Sequence, residues 1–448
     1  MPVDERMRVQ TELILRSLDD AAAYPAPERW GQVDGIDYLY REYVILTREQ
    51  DADRVERAAT RILGEAGYGD ALGGQERRIR RERVSAGVVR LTIPPDTLLV
   101  PALLRRLDED LGPGVATPDH VVFVCPYSCP ATEPTPPPPG SQPSPLQQGS
   151  QSSPPPADST ENVVRDRHVT GREGEGVSVV VVDTGLIKDA ATGHPWLEGV
   201  QGTEEEETYV KFQGKNVIAP YAGHGTFVAG VARRVAPRAT VHVERAFIKA
   251  GADYESSLLR SLEHALDLNP HVLVWPFTMS TRHDLPPLTF DDLFERRTRR
   301  LKGLVMLAAV GNDHARRLMW PAAFPEVISI GALATNGRER AAFSNYGNWV
   351  DVYAPGQDLI NAFPVGTYIY REPLRRGTSA QFEGLAVWGG TSFAVPIVAG
   401  LIAARMSATG ENARQAADYL LEFALGQAIP GVGAVLYPDQ AVFDRPAG

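Results

Sequence analysis

A series of short, uninterrupted apolar runs most constrains the fold of this chain. After residue 175 they read VSVVVVD, ATVHVERAF, HVLVW, LVMLAAVGN and VISIGAL, with helical segments such as SSLLRSLEHALDL between them. A strand that is apolar on both sides must be covered on both sides. Strands of this kind alternating with helices predict an α/β fold, a parallel sheet flanked by helices. In open α/β sheets the carboxyl edge of the strands is where sites form.

A second feature divides the chain. Residues 130–159 read PATEPTPPPPGSQPSPLQQGSQSSPPPADS, a tract too poor in apolar residues to build a core. It reads as a semi-extended tether that lets the parts on either side dock or separate. Before it, REYVILTRE is strand-like. DADRVERAATRILGEAG is an amphipathic helix with Val55, Ala58, Ala59, Ile62 and Leu63 on one face and Asp51 as its cap. RRIRRERV and VVRLTIP pair around Ser85-Ala86-Gly87. TLLVPALLRRLDEDLG is a helix whose Pro101 marks a late start or a kink, and HVVFVCP closes with a strand. The order βαββαβ is that of a small ferredoxin-like domain. The expected division is a helical extension over 1–40, the α/β domain over 41–128, the linker over 129–159 and the main domain over 160–448.

The formal charge of −11, with no long basic stretch to offset it, excludes nucleic acid as the main partner. Arg77, Arg78, Arg80, Arg81 and Arg83 are interleaved with Glu76, Ile79 and Glu82 and read as an exposed strand face. The opening MPVDERMRVQTELILRSLDD carries acids early, unlike a secretory signal, and no 18-residue apolar stretch is apparent. The expectation is a cytoplasmic protein without a membrane span. Cys125 and Cys129 provide no disulfide framework and no metal set, and read as ordinary thiols.

The candidate chemistry begins at GGTSFAVP, Gly389 to Pro396. Ser392 follows a glycine-rich turn at the mouth of the apolar helix FAVPIVAGLIAARM, with its hydroxyl exposed and the positive end of the helix behind it. Asp183 ends the run VVVVDTG. His224 lies between two glycines in GHGTFVAGVA, at a helix start, as a candidate general base. Asn312 ends LVMLAAVGN, where its amide can donate to an oxygen that becomes negative in a tetrahedral intermediate. Taken singly, each has a plain structural reading: a braced turn, an incidental GHG, a turn-forming Asn. Asp183, His224 and Ser392 together are the residue types of nucleophilic acyl transfer.

The order Asp, His, Asn, Ser is kept within VVVVDTG, HPWL, GHGTFVAGVA, AAVGN, FSNYG, YAPG and GTSFAVP, spread over nearly all of residues 175–405. This set resembles the subtilases. The resemblance implies a subtilisin-like serine endopeptidase that acts on protein or peptide substrates. Ser392 would attack, His224 carry the proton, Asp183 orient the imidazole, and Asn312 with the Ser392 N–H hold the oxyanion. It further implies substrate binding along Trp275, Pro276 and Phe277 and along Ala308, Ala309 and Gly311. The N-terminal α/β domain is similar to the family's inhibitory propeptide, which makes it a partner of the main domain.

Some positions depart from the family pattern. In VLVWPFTM, Trp275-Pro276 replaces an Asn-Leu-Ser type sequence, and proline removes one possible ladder bond to substrate. Either a narrow pocket lined by Trp275 or Phe277 or a nearly silent cleft would follow. Phe227 stands where a second His is common and reads as packing. The acidic run Glu204 to Glu207 lacks calcium-loop spacing and reads as a solvated loop, so no cofactor is assigned. A second GTS ends at Ser379 but is followed by AQFEG, with no apolar helix. A low-turnover scaffold built on the same fold, and a transpeptidase or esterase using the same residues, are the other readings left open.

Overall fold

The computed structural model describes residues 5–18, 20–25, 36–68, 78–124, 133–143 and 172–438. Arg77, Cys125, Cys129 and most of the Pro-rich tract lie outside them.

The N-terminal part runs α1 (Glu5–Ser17), β1 (Ala21–Pro25), β2 (Ile36–Arg48), α2 (Ala52–Leu63), β3 (Arg80–Arg83), β4 (Val88–Thr92), α3 (Val100–Leu111) and β5 (Ala116–Phe123). From β2 onward the order is βαββαβ. The sheet is antiparallel in the order β5-β2-β4-β3, with β1 added to β2. β2 starts at Ile36, so its first residues belong to the stretch expected as an irregular extension. The apolar face expected for α2 is buried at Val55, Ala58, Ala59, Ile62 and Leu63. Asp51 stands at its N-cap but makes no capping bond from its side chain; the carboxylate lies 3.5 Å from Arg54 instead. Pro101 sits in the first turn of α3, where its missing N–H has no helical partner to lose. Arg81 and Arg83 on β3 reach Glu49, and Arg81 also reaches Asp53.

The main part continues with β6 (Ser178–Asp183), β7 (Gln201–Gly202), β8 (Tyr209–Phe212), β9 (Lys215–Ile218), α4 (His224–Val235), β10 (Thr240–Arg245), β11 (Ala252–Tyr254), α5 (Glu255–Asp267) and β12 (Val272–Trp275). It then runs α6 (Leu288–Leu293), β13 (Val305–Ala309), β14 (Val327–Leu333), β15 (Val352–Pro355), β16 (Leu359–Ile369), β17 (Ser379–Trp388), α7 (Thr391–Thr409) and α8 (Ala413–Gly426). A seven-stranded parallel sheet in the order β15-β14-β13-β12-β6-β10-β7 forms its centre. Alternate residues of the apolar runs enter opposite layers. Val179, Val181, Val272 and Val274 pack with α4 and α7. Val180, Val182, Leu273 and Trp275 pack with α5 and α6. Burial on both faces is why the runs do not alternate in polarity.

α7 corrects one expectation. Thr391–Thr409 has the length and hydropathy of a membrane-crossing helix, but 89% of its apolar window is buried inside the protein. It is the central core helix of the main part. Ser379, the rival serine, opens the strand β17 and is exposed, so it stands at a strand start and not a helix start.

The two parts are docked. β11 adds to the edge of β5, so the N-terminal sheet continues into the main part. The sheet rests on α5 and α6. Leu46 and Val88 pack on Leu288, Arg48 pairs with Asp291 and Glu295, and Ser85 donates to Asp292 at 2.6 Å. The tether is also partly docked, because Thr135 exchanges backbone hydrogen bonds with Val387 of β17.

Candidate active site

Asp183 is the last residue of β6 and His224 the first of α4, so strand end and helix start converge. His224 Nδ1 lies 2.8 and 2.9 Å from the two carboxylate oxygens of Asp183, and both side chains are fully buried. Asp183 Oδ1 also accepts from the Thr184 N–H at 2.6 Å. Gly225 permits this approach. A Cβ there would stand 2.5 Å from the Gly185 carbonyl oxygen and 3.1 Å from the Asp183 Cβ. The His224 ring meets Trp388 edge-on, with centroids 5.5 Å apart, and lies 5.1 Å from Phe393. Phe227 is packing, as expected, 4.5 Å from Phe393.

The loop before His224 is braced by a residue expected in solvent. Glu205 turns inward, and its oxygens accept from the Gly223 N–H at 2.9 and 3.0 Å and from Thr208 Oγ1 at 3.0 Å. Burial pushes its carboxyl up to about 7, opposed by these hydrogen bonds. Of the run Glu204 to Glu207, Glu204 and Glu206 are the exposed members.

Ser392 sits in the first turn of α7, as the glycine-rich turn predicted, but it is not exposed. Its Oγ lies 3.0 Å from the Val124 carbonyl oxygen and 2.9 Å from that of Pro276. One hydroxyl hydrogen is thus shared by two carbonyls, one of which belongs to the end of the N-terminal part.

Asn312 stands three residues beyond β13. Its Oδ1 accepts from both the N–H and the Oγ1 of Thr391, each at 2.9 Å, the residue before Ser392. That fixes the orientation of the amide, with Oδ1 toward Thr391. The loop holding Asn312 is itself held by Asn345. That side chain accepts from the N–H groups of Asp313 and Ala315 and donates to the Val310 carbonyl. A Cβ on Gly311 would stand 2.6 Å from Asn345 Nδ2, and the residue has φ +97, so glycine fits on both counts.

The candidate binding residues separate. Trp275 is fully buried among Phe277, Phe290 and Phe294, at 6.3, 5.8 and 6.0 Å between centroids. It is a wall of the core, not the rim of an open pocket. Phe277 belongs to the same cluster, as do Val122 and Val124. Ala308 and Ala309 are enclosed in β13, and the Gly311 N–H donates to Thr391 Oγ1 at 3.2 Å. Pro276 reaches Ser392 through its carbonyl. The expected loss of strand pairing is made good two residues on, where Thr278 exchanges both backbone hydrogen bonds with Phe123, at 2.9 and 3.1 Å.

The sequence reading missed the other wall. β11 pairs Ala252, Asp253 and Tyr254 with Phe123, Val122 and Val121, and the Gly251 carbonyl accepts from the Val124 N–H at 2.9 Å. The end of β5 is therefore held as a strand between β11 and Thr278. Gly251 has φ +63, and a Cβ there would stand 2.5 Å from Val124 Cγ2. Farther back, Asp119 accepts from the Ser256 N–H and Oγ at 3.1 and 2.7 Å, and His120 Nδ1 lies 2.7 Å from Glu255. Burial, with the Glu255 charge nearby, pushes the Asp119 carboxyl up to about 7. FSNYG and the acidic run carried signals for Asn345 and Glu205. The short ADY segment carried none.

Comparison with known proteins agrees with this geometry. The sequence model of the subtilase family matches residues 174–426. M-protease of Shouchella clausii is 30% identical over 245 residues, covering 53% of this chain and 55% of that protein. Subtilisin Savinase of Lederbergia lenta is also 30% identical over 245 residues, covering 53% of this chain and 78% of that protein. The chain thus spans little more than half the length of M-protease. Among solved structures, fervidolysin from Fervidobacterium pennivorans, a keratinolytic enzyme related to subtilisin, has a TM-score of 0.55 at 18% identity. That match covers 91% of this chain and 62% of fervidolysin.

Proposed function

This chain belongs to the subtilase family, and on that premise we propose that it is a serine endopeptidase held in check by its own N-terminal domain. One observation carries the reading. A peptide strand, β5, is clamped between β11 and Thr278 and delivers the Val124 carbonyl to 3.0 Å from Ser392 Oγ. This is how a peptidase holds a substrate backbone.

In the proposed reaction Ser392 Oγ attacks a peptide carbonyl carbon while His224 takes the hydroxyl proton. Asp183 orients the ring through Nδ1 and stabilises the imidazolium. The oxyanion accepts from Asn312 Nδ2 and the Ser392 N–H. His224 then returns the proton to the leaving amine, and water hydrolyses the acyl-enzyme by the same route reversed.

Pro276 ends the ladder beside the nucleophile. With Phe123 opposite Thr278, residue 276 faces the residue after the one whose carbonyl meets Ser392. Proline has no N–H to bond that residue, so the backbone pairing stops there.

The N-terminal domain supports the inhibitory reading by its order βαββαβ and its sheet order β5-β2-β4-β3, which suit a ferredoxin-like propeptide. Self-cleavage in or beside residues 130–159 would separate it. The test is labelling of the full chain with a fluorophosphonate probe, with Ser392→Ala as the blank. Labelling at Ser392 supports the peptidase. No labelling, even after proteolytic removal of the N-terminal part, would leave a binding scaffold on the subtilase fold.

A further inference from the structure

The site that holds Glu133 is used by no step above. Glu133 follows Val124 by nine residues and is 6% exposed. Its Oε1 accepts from Tyr368 Oη at 3.1 Å and from the Arg371 N–H at 2.8 Å, and its Oε2 accepts from the Glu372 N–H at 3.1 Å. Three donors, one from the end of β16 and two from the segment that follows it, thus converge on one carboxylate. Arg371 Nη1 is buried with no hydrogen-bond partner among the described residues, and Arg371 lines the same small cavity as Glu133. Consecutive backbone N–H groups aimed at one point form a concave anion site.

The position relates it to the cleft. Two residues on, Thr135 exchanges backbone hydrogen bonds with Val387, at 2.7 and 3.0 Å, adding a strand to the edge of β17. Val387 precedes Trp388, whose ring packs on His224. A small cavity is lined by Glu133, Pro134, Tyr221, Tyr368, Arg371 and Trp388. The chain passes Ser392 at Val124 and reaches this strip later in its N-to-C direction. In the uncleaved chain Glu133 and Thr135 therefore belong to the leaving-amine segment.

We propose that Tyr368 Oη with the N–H groups of Arg371 and Glu372 forms a carboxylate subsite on the leaving-group side of the cleft. In the uncleaved chain Glu133 fills it and anchors the tether. Once that segment has left, the subsite takes a Glu or Asp side chain of a peptide substrate, whose backbone pairs with Val387. This substrate role rests on the peptidase reading; the occupation by Glu133 does not.

The first test uses the full-length Ser392→Ala chain and follows hydrogen exchange of the Thr135 and Val387 amides. Glu133→Gln and Tyr368→Phe should each speed exchange about tenfold, as expected for loss of a hydrogen bond to a charged group. The double variant should add little to either single change. Unchanged exchange in both single variants overturns the subsite. Glu133→Gln keeps the size and shape of the side chain, so it decides the matter if Tyr368→Phe misfolds. The second test gives the active enzyme matched peptides with Glu or Gln at successive leaving-group positions. A kcat/KM preference for Glu of about tenfold at one position, abolished by Tyr368→Phe, supports the substrate role. Equal rates at every position overturn it. If no peptide is cleaved, the peptidase reading and this role fall together, while the exchange result still stands for Glu133.

Discussion

Ser392 Oγ lies 3.0 Å from the Val124 carbonyl oxygen, so the end of the N-terminal sheet stands against the candidate nucleophile. The strand that brings Val124 there is clamped on both edges, by β11 and by Thr278. Access to Ser392 thus depends on how firmly this strand is held.

Gly251→Ala should loosen it. The residue has φ +63, and the added methyl would stand 2.5 Å from Val124 Cγ2 and 3.1 Å from the Tyr221 ring. The strained backbone and the clash both act where Val124 docks. Fluorophosphonate labelling of the full-length variant should run about tenfold faster than wild type, for a loss of roughly 1–2 kcal/mol. An unchanged rate would mean that this clamp does not limit access.

Docking of the N-terminal domain should weaken as pH rises through the range set by Asp119. Burial, and then the Glu255 charge, raise its carboxyl to about 7, opposed by the Ser256 hydrogen bonds and Arg41. A raised carboxyl binds its proton more tightly in the docked state. The docked form therefore has its full advantage below about pH 4 and loses it as pH rises to about 7, on the order of 2–4 kcal/mol at most. In the Ser392→Ala chain, the urea midpoint for release of this domain should fall between pH 5 and 7.5. Asp119→Asn should flatten the profile.

Glu205 holds the residue before His224. Glu205→Ala leaves the Gly223 N–H without its acceptor, and kcat should fall about tenfold with KM unchanged. Glu205→Gln keeps an acceptor and should retain more activity. Its carboxyl is raised to about 7, so the charged form weakens folding as pH rises from about 4.5 through 7. The Gln variant should lack that part of the pH–stability curve.

Trp275→Ala should act on stability. The side chain is fully buried against Phe290 and Phe294, and its loss leaves a cavity worth about 3–5 kcal/mol. The melting temperature should drop by roughly 10 °C, while Trp275→Phe should recover much of it. A change in cleavage preference without loss of stability would restore Trp275 as a pocket residue.

The sequence by itself determined the sheet and the approximate positions of Asp183, His224, Asn312 and Ser392. Continuous apolar runs require cover on both faces, and glycine-flanked polar residues at strand ends and helix starts are local signals. Local rules could not place Glu205, since the turn that takes one glutamate inward depends on Gly223, which is 18 residues away. They left Trp275 between a pocket wall and a nearly silent cleft because a side chain's layer is decided only when α5 and α6 pack on the sheet. They treated the tether as free because the groups that donate to Glu133 lie 235 to 239 residues farther along the chain. Above all, the exposure of Ser392 was decided by tertiary structure alone. The helix start that carries the serine is written locally, whereas the strand that covers it arrives from 268 residues earlier in the chain.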